Sequence, residues 1–206
     1  MDISTSKHTA SDIFRLILDK GPLTLYSAST ESKFPLGTIH RHFKEMEQSG
    51  KITVYRKKQG RKKKPYGPTV YGFVFFYGFD KVIRSKLENY FLLWLDHEEF
   101  VTNLKKEGFN VSKIATQPHK SKSLFRKYVH YFSGVEHQLE LIKNGQKTIP
   151  REISLFIGEA LLAMNPEYMK IWEELYKNVP GIKNNVDGYL EDTIKIYKQL
   201  KKKHSH

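Results

Sequence analysis

The chain contains no cysteine among its 206 residues. This absence excludes disulfides, thiolate catalysis and metal sites built on cysteine ligands. The chain also lacks an apolar run of the roughly 18–20 residues that a membrane span requires. The closest stretch, Val70 to Phe79, has ten residues and includes two glycines. The first ten residues are polar and carry no apolar signal stretch, so we predict a soluble, cytoplasmic protein without membrane contact.

Acidic residues are missing between Glu47 and Asp80, over 32 positions. The first part of this stretch, Lys51 to Lys64, holds eight basic residues, whereas Tyr66 to Phe79 is mostly aromatic residues, glycine and valine. Residues 1–78 contain 14 Lys and Arg against 6 Asp and Glu, a net charge of +8, while the other 128 residues carry +5. Folded surfaces usually mix both signs, because clusters of one sign repel. The basic cluster therefore indicates a polyanionic partner.

Three helices are predicted ahead of this cluster. Ser11 is a plausible N-cap for the first helix, which ends at Gly21. The second helix covers about 24–32, although its serines and threonines are poor helix formers. Pro35 suits the first position of the third helix, which runs to Gln48.

The third helix has two distinct faces. Ile39, Phe43 and Met46 lie at spacings of four and three and form one apolar stripe. At about 100° per residue, the opposite face consists of Gly37, Arg41, Lys44 and Gln48, with Thr38 and His40 at its edges. Because Gly37 adds no bulk and Arg41 and Lys44 can bind phosphate or guanine, this face can approach a nucleic-acid groove closely.

After Gly50 the hydrophobic period changes to two, which predicts a half-buried strand through Ile52, Val54 and Arg56. Gln59 to Lys64 is predicted to form a long hairpin tip. Residues 65–68 have a composition typical of turns, and residues 69–76 are predicted to form the returning strand.

Three helices followed by a two-stranded ribbon is the order of elements in a winged helix. The stretch 12–79 resembles the winged helix-turn-helix domain of prokaryotic transcription regulators, of archaeal type. The resemblance rests on Gly37 to Glu47 (GTIHRHFKEME), Gly50 to Ile52 (GKI) and Lys64 to Thr69 (KPYGPT), and it covers about a third of the chain. It implies that the recognition helix, about 35–48, enters the major groove and that the basic wing, 56–66, follows the backbone or the minor groove.

The predicted partner is double-stranded DNA, contacted by the recognition helix and the wing. Phosphate contacts would position the protein and base contacts would select the sequence. The predicted DNA-binding residues are Thr38, His40, Arg41, Lys44, Gln48, Arg56, Lys57, Lys58, Arg61, Lys62, Lys63, Lys64 and Tyr66.

From Asp80 onward the periodicity is helical. Asp80 is predicted to cap a long helical segment that carries Val82 to Trp94 and breaks near Asp96 and His97, and residues 107–120 are predicted to form a loop. Further helices are predicted over about 121–144, 150–164, 166–178 and 186–203. The predicted fold is mainly α with a small β-wing: a winged helix-turn-helix domain, 1–79, and an all-α helical bundle, 80–206, for dimerisation or effector sensing.

The helix 121–144 carries a heptad seam of Phe125, Tyr128, Phe132, Val135, Leu139 and Ile142. It has two interpretations, an intrachain core seam or a dimer interface, and its bulky aromatics favour the first. A palindromic DNA site favours a two-fold protein, so we expect a homodimer through the C-terminal helices. The aromatic residues of this half, Tyr128 and Phe132 among them, could line a ligand pocket, but such sets are more often plain core.

Nothing in the sequence predicts an enzyme. Paired carboxylates such as Glu98 and Glu99 point about 100° apart on a helix, and no phosphate-binding glycine loop or nucleophile elbow occurs. His130 and His137 lack the spacing of a zinc helix. We therefore predict no catalytic residues, metal or cofactor, and a sequence-specific transcriptional regulator. The alternatives are an architectural DNA binder with little sequence preference, or a winged-helix adaptor that docks on the transcription or replication machinery.

Overall fold

The computed structural model describes residues 3–55, 64–145 and 164–203. These residues are mostly helical and contain one small antiparallel sheet. In chain order the elements are α1 (Ile3–Lys20), α2 (Leu25–Glu31), α3 (Leu36–Gln48), β1 (Ile52–Val54), β2 (Tyr66–Pro68), α4 (Val70–Tyr77), α5 (Lys81–Trp94), α6 (Glu98–Lys106), α7 (Val111–Thr116), α8 (Pro118–Gly145), α9 (Pro166–Asn178) and α10 (Pro180–Lys203). Within the described ranges no helix is both long and apolar enough to cross a membrane.

Helix α1 begins at Ile3, so the prediction of an N-cap at Ser11 was wrong. Ser11 lies inside the helix, and its hydroxyl donates to Oδ2 of Asp80. This long-range partner satisfies a side chain that the local sequence pattern assigns to a cap. The predicted end of the helix is confirmed, because Gly21 adopts φ +88° and its N–H donates to the Ile17 carbonyl at 3.1 Å.

Helices α2 and α3 agree with the sequence prediction to within one or two residues. Thr24 caps α2 because its side-chain oxygen accepts a hydrogen bond from the Ser27 N–H. In return, the Ser27 Oγ accepts a hydrogen bond from the Thr24 N–H. This reciprocal pair explains how a short segment rich in serine and threonine forms a helix. Pro35 is the N-cap residue of α3 rather than its first position. The helix ends ahead of Gly50, which has φ +71°.

The returning strand is shorter and earlier than predicted. Strand β2 covers Tyr66–Pro68, the segment predicted as a turn, and pairs antiparallel with β1 in the register Ile52 with Pro68 and Val54 with Tyr66. Tyr66 also exchanges two backbone hydrogen bonds with Leu23, of 3.0 and 2.8 Å. The connection between α1 and α2 therefore forms an isolated antiparallel β-bridge beside the hairpin.

Residues 69–76 were predicted as a strand, and this prediction was wrong: Val70–Tyr77 is helix α4. Its sequence, VYGFVFFY, is apolar at every position, so periodicity cannot distinguish a buried strand from a buried helix. The side chain of Thr69 decides locally by capping the helix, accepting a hydrogen bond from the Gly72 N–H at 3.0 Å. Most of the helix is buried.

The helices after Asp80 follow the prediction with three differences. Asp80 caps α5 as predicted, because its Oδ1 accepts hydrogen bonds from the N–H groups of Val82 and Ile83. The predicted loop 107–120 contains α7, a helix too short to detect by periodicity, which Asn110 caps. Helix α8 begins at Pro118 rather than at 121, and α10 begins at Pro180 rather than at 186, since proline suits a first helical position. The helix predicted over 150–164 lies almost entirely outside the described residues.

Aromatic rings connect α4 to both halves of the chain. Phe14 of α1 stacks on Phe76 of α4 with ring centroids 4.4 Å apart. Phe73 of α4 meets Phe125 of α8 edge to face at 5.5 Å, and Phe91 of α5 stacks on Phe125 at 4.6 Å. All five side chains are 0% exposed. The buried core is continuous across residues 79 and 80, and the division into domains 1–79 and 80–206 stays a prediction.

The first testable consequence concerns Gly72 in α4. A Cβ at this position would lie 2.2 Å from the Lys51 carbonyl oxygen and 2.9 Å from the Phe14 ring. We expect Gly72→Ala to lower the free energy of unfolding by about 1–3 kcal/mol, because neither neighbour can move without disturbing the core. The measurement is chemical denaturation followed by circular dichroism.

Gly188→Ala in α10 is the matched control. Among the described residues no atom lies within 4 Å of the Cβ position of Gly188. This substitution should raise the free energy of unfolding by up to about 1 kcal/mol, because alanine favours a helix more than glycine does. Equal stabilities of the two variants would contradict the close packing around Gly72.

Candidate nucleic-acid interface

Helix α3 buries the stripe that the sequence predicts. Ile39, Phe43 and Met46 are 0%, 1% and 3% exposed and pack in the core. His42, which lies between them on the same face, is also buried. The helix is therefore fixed along one side, and its orientation relative to the rest of the fold is set by apolar contact.

The opposite face of α3 carries the predicted recognition residues. His40, Arg41, Lys44 and Gln48 are exposed, together with Gly37, and Thr38 is half-buried at the edge. The structure thus brings all five predicted α3 residues to one accessible side of a single helix. Helix α3 has 13 residues, Leu36–Gln48, and one exposed face, so it has the length and width to enter a DNA major groove.

The exposed side of α3 is mixed in charge. Arg41 Nε lies 4.0 Å from Glu45 Oε1, an exposed pair one turn apart. Glu45 and Glu47 are exposed beside the two basic residues Arg41 and Lys44. The helix itself contributes no net positive charge, so any strong attraction to a polyanion must come from other parts of the chain.

His42 is a residue at this site that the sequence analysis missed as a contributor. Its Nδ1 lies 3.4 Å from Glu45 Oε2, and its Nε2 lies 3.3 Å from Arg41 Nη2. Burial lowers the pKa of His42; the carboxylate of Glu45 opposes this shift and the guanidinium of Arg41 adds to it. The neutral imidazole thus contacts the Arg41 and Glu45 side chains from the buried side of α3. The sequence did contain a signal for this position: His42 follows Ile39 by three residues, and this spacing places both on the same face of a helix.

Tyr66 connects the hairpin to the C-terminal half of α3. Its ring meets Phe43 edge to face, with centroids 5.2 Å apart, and its hydroxyl donates to Glu47 Oε2 at 3.3 Å. Partial burial, followed by the negative charge of Glu47, raises the pKa of Tyr66. These contacts give Tyr66 a positioning role, in addition to the DNA contact predicted for it.

The base of the hairpin is held on its other side by Tyr55. The Tyr55 N–H donates to the Pro65 carbonyl at 2.8 Å, and its hydroxyl donates to the Pro68 carbonyl at 2.7 Å. Its ring packs edge to face against Trp94 of α5 at 5.5 Å. A Cβ on Gly67 would come within 2.4 Å of the Tyr55 ring, so only glycine fits there.

The basic segment is therefore bounded by residues with fixed positions, Tyr55 before it and Pro65 after it. Lys64 is exposed at the returning end, directly before the buried Pro65. The other predicted wing residues lie in 56–63, outside the described residues: Arg56, Lys57, Lys58, Arg61, Lys62 and Lys63. Their contact with DNA stays a prediction from the sequence.

One of the two histidines considered as metal ligands, His130, packs against aromatic rings. His130 stacks on Tyr168 with ring centroids 5.3 Å apart and meets Tyr77 edge to face at 5.8 Å. Burial, together with Arg126, lowers the pKa of His130. In the part of the chain that the structure describes, no three His, Asp or Glu side chains come together as a metal site.

Comparisons with known proteins add no family to this picture. Neither a protein-family model nor a curated protein matches the chain.

The second testable consequence is a pH dependence of stability that originates at His42. Its folded-state pKa lies below the ordinary value of 6.5, so on acidification the unfolded chain takes up a proton before the folded chain does. The contribution of His42 is thus complete above about pH 6.5 and is lost as the pH falls. The advantage of the wild type over His42→Gln should shrink between about pH 8 and pH 5, by at most about 1.4 kcal/mol per pH unit.

Urea denaturation at a series of pH values measures this difference. The shift at His130 is present in both proteins and cancels in the comparison. A wild-type advantage that stays constant across the range would contradict the buried, neutral state of His42.

Proposed function

We propose that the chain is a transcriptional regulator that binds double-stranded DNA through a winged helix-turn-helix formed by residues 1–79. Helix α3 is the recognition helix, and the hairpin of β1 and β2 carries the wing. The observation that carries the proposal is the junction of these two elements: Tyr66 joins β2 to α3 through Phe43 and Glu47. The basic segment 56–64 thereby ends beside an exposed helix face.

The two elements would contribute differently to binding. The six basic residues of 56–63, with no acidic residue among them, would bind phosphates and supply most of the affinity. Arg41, Lys44 and Gln48 reach base edges, where an arginine can pair with guanine in the major groove. Thr38 and His40 lie at the edge of the face, where phosphate contacts fix the register.

The neutral charge of the α3 face favours one rival function. If the loop supplies nearly all of the attraction, the protein would bind any duplex, as an architectural protein does. The ratio of specific to non-specific affinity at fixed physiological salt separates the two functions, because a regulator shows a ratio of about a thousand or more.

The proposal includes a homodimer formed through the C-terminal helices. Leu190 and Ile194 lie one turn apart on α10 and are 51% and 53% exposed, and these apolar side chains support an interface there. Phe125, Tyr128 and Val135 of the heptad seam are buried inside the chain, and Phe132 packs against the same core. This part of the seam therefore packs within the chain, which is the interpretation that its bulky aromatic residues favoured. Leu139 and Ile142 are seam side chains that the structure does not describe.

Selection of bound sequences from a random duplex pool, combined with light scattering, tests specificity and symmetry together. We expect a palindromic motif, because a two-fold protein reads two equivalent half-sites. We also expect a mass of twice 24.2 kDa. A pool without enrichment would favour the architectural function, and a mass of one chain would refute the dimer.

Removal of charge from the wing tests the DNA interface directly. The variant Arg61→Ala, Lys62→Ala, Lys63→Ala, Lys64→Ala should lose detectable duplex binding at physiological salt. At low salt, where binding can be measured, the slope of log affinity against log salt should fall by about 3–4 units, since each phosphate contact releases counterions. Fluorescence anisotropy with a labelled duplex measures both quantities.

A matched control removes the same charge elsewhere. Lys113, Lys120, Lys170 and Lys177 are exposed on α7, α8 and α9, and their replacement with alanine should change duplex affinity by about twofold or less, because salt screens distant charges. Unchanged binding by the wing variant would refute the wing assignment. If the intact protein shows no duplex affinity even at low salt, the adaptor function is favoured instead.

A further inference from the structure

A cavity of about 190 Å³ lies between helices α4 and α8, beside the end of α6. Its apolar lining comes from both helices: Val70, Tyr71, Val74, Tyr128, Phe132 and Val135. Among the described residues, the charged groups at the cavity are two carboxylates, those of Glu107 and Glu136. The site therefore combines apolar walls with charge of a single sign.

Aromatic rings form the α8 wall of this cavity. Tyr128 and Phe132 lie one helical turn apart, with ring centroids separated by 4.5 Å. Tyr128 is held in place because its hydroxyl donates to Glu107 Oε2 at 2.7 Å. Ring faces carry negative electrostatic potential and attract cations, most strongly where water is excluded.

In the part of the chain that the structure describes, the two carboxylates have no basic neighbour at the cavity. Within the described residues no lysine or arginine lines it, and neither Glu107 nor Glu136 forms an ion pair there. Glu107 is the C-cap residue of α6, where the end of a helix adds partial negative charge. Both side chains are half-buried. A positively charged ligand would compensate this concentration of negative charge.

We propose that the cavity binds a small organic cation, with its apolar part against Tyr128 and Phe132 and its charge facing Glu107 and Glu136. The volume of about 190 Å³ is below the roughly 300–1,000 Å³ of pockets for drug-sized ligands, so the ligand is an alkylammonium with few carbons. A bare metal ion does not fit this lining, because Mg²⁺ or Ca²⁺ requires about six oxygen ligands.

The cavity lies next to the base of the hairpin. Its wall includes Val70, whose N–H donates to Asn103 Oδ1 at 3.2 Å. The preceding residue, Thr69, follows β2 directly and donates from its hydroxyl to the Gly50 carbonyl at 2.6 Å. A ligand that moves the first turn of α4 therefore moves the base of the hairpin. Regulation of DNA binding by the cation rests on the proposed function, whereas the binding itself does not.

Isothermal titration calorimetry on the full chain, with choline and butylammonium as probes, tests the site without DNA. Choline is compared with its neutral isostere, in which a tert-butyl group replaces trimethylammonium. We expect at least one cation to bind, and the neutral isostere to bind about tenfold more weakly than choline. Failure of both cations to bind, or equal binding of choline and its isostere, would overturn the proposal.

Two variants and a control identify the residues. Glu136→Gln removes one cavity charge, and Glu107→Gln removes the other while keeping an acceptor for Tyr128; each should weaken cation binding about tenfold. Glu173→Gln removes an exposed carboxylate of α9 away from the cavity and should leave binding unchanged. If both cavity variants bind as the wild type does, the site is wrong. Circular dichroism checks that each variant is folded.

Duplex affinity measured with and without saturating cation then tests the coupling. We expect a change of about fivefold or more, as in typical allosteric coupling. Unchanged affinity would overturn the regulation while leaving the cavity site intact. A chain that binds the cation but no duplex at all would refute the proposed function and not the cation site.

Discussion

Helix α4 is apolar on every side, and the other elements bury all of it except Tyr71 and Phe75, which are half-buried. The rest of the structure is arranged around this burial. Phe76 packs against α1, and Phe73 reaches α6 and α8. Gly72 lets the backbone before β1 approach closely. Because α4 follows β2 after a single residue, the same burial that completes the core also fixes the end of the hairpin.

The hairpin is held between two tyrosines that point to different neighbours. Tyr66 attaches β2 to α3, and Tyr55 attaches the base of the hairpin to α5 through Trp94. The ends of the proposed wing are thereby connected to α3, the proposed recognition helix, on one side and to α5 on the other. Since the proposed cation cavity borders the first turn of α4, a physical connection exists between that cavity and the proposed DNA interface.

Much of the candidate site was predictable from the sequence. The stripe of Ile39, Phe43 and Met46 implies the exposed face of α3, because a helix that buries one side presents the other. The two positioning contacts were not predictable. The packing of Tyr66 on Phe43 joins positions far apart in the chain, and the histidine inside the apolar stripe had to be recognised as a buried, neutral group.

By itself the sequence determined the local elements: α2 and α3 with their boundaries, the cap at Asp80, and the concentration of positive charge between Lys51 and Lys64. These follow from periodicity, capping and composition, which act over a few residues. Tertiary structure decided that Ser11 lies inside a helix and that Val70–Tyr77 is a helix rather than a strand. In both cases the local signals permitted two answers. Contacts with distant residues, through Asp80 for Ser11 and through the surrounding aromatic core for α4, favoured one.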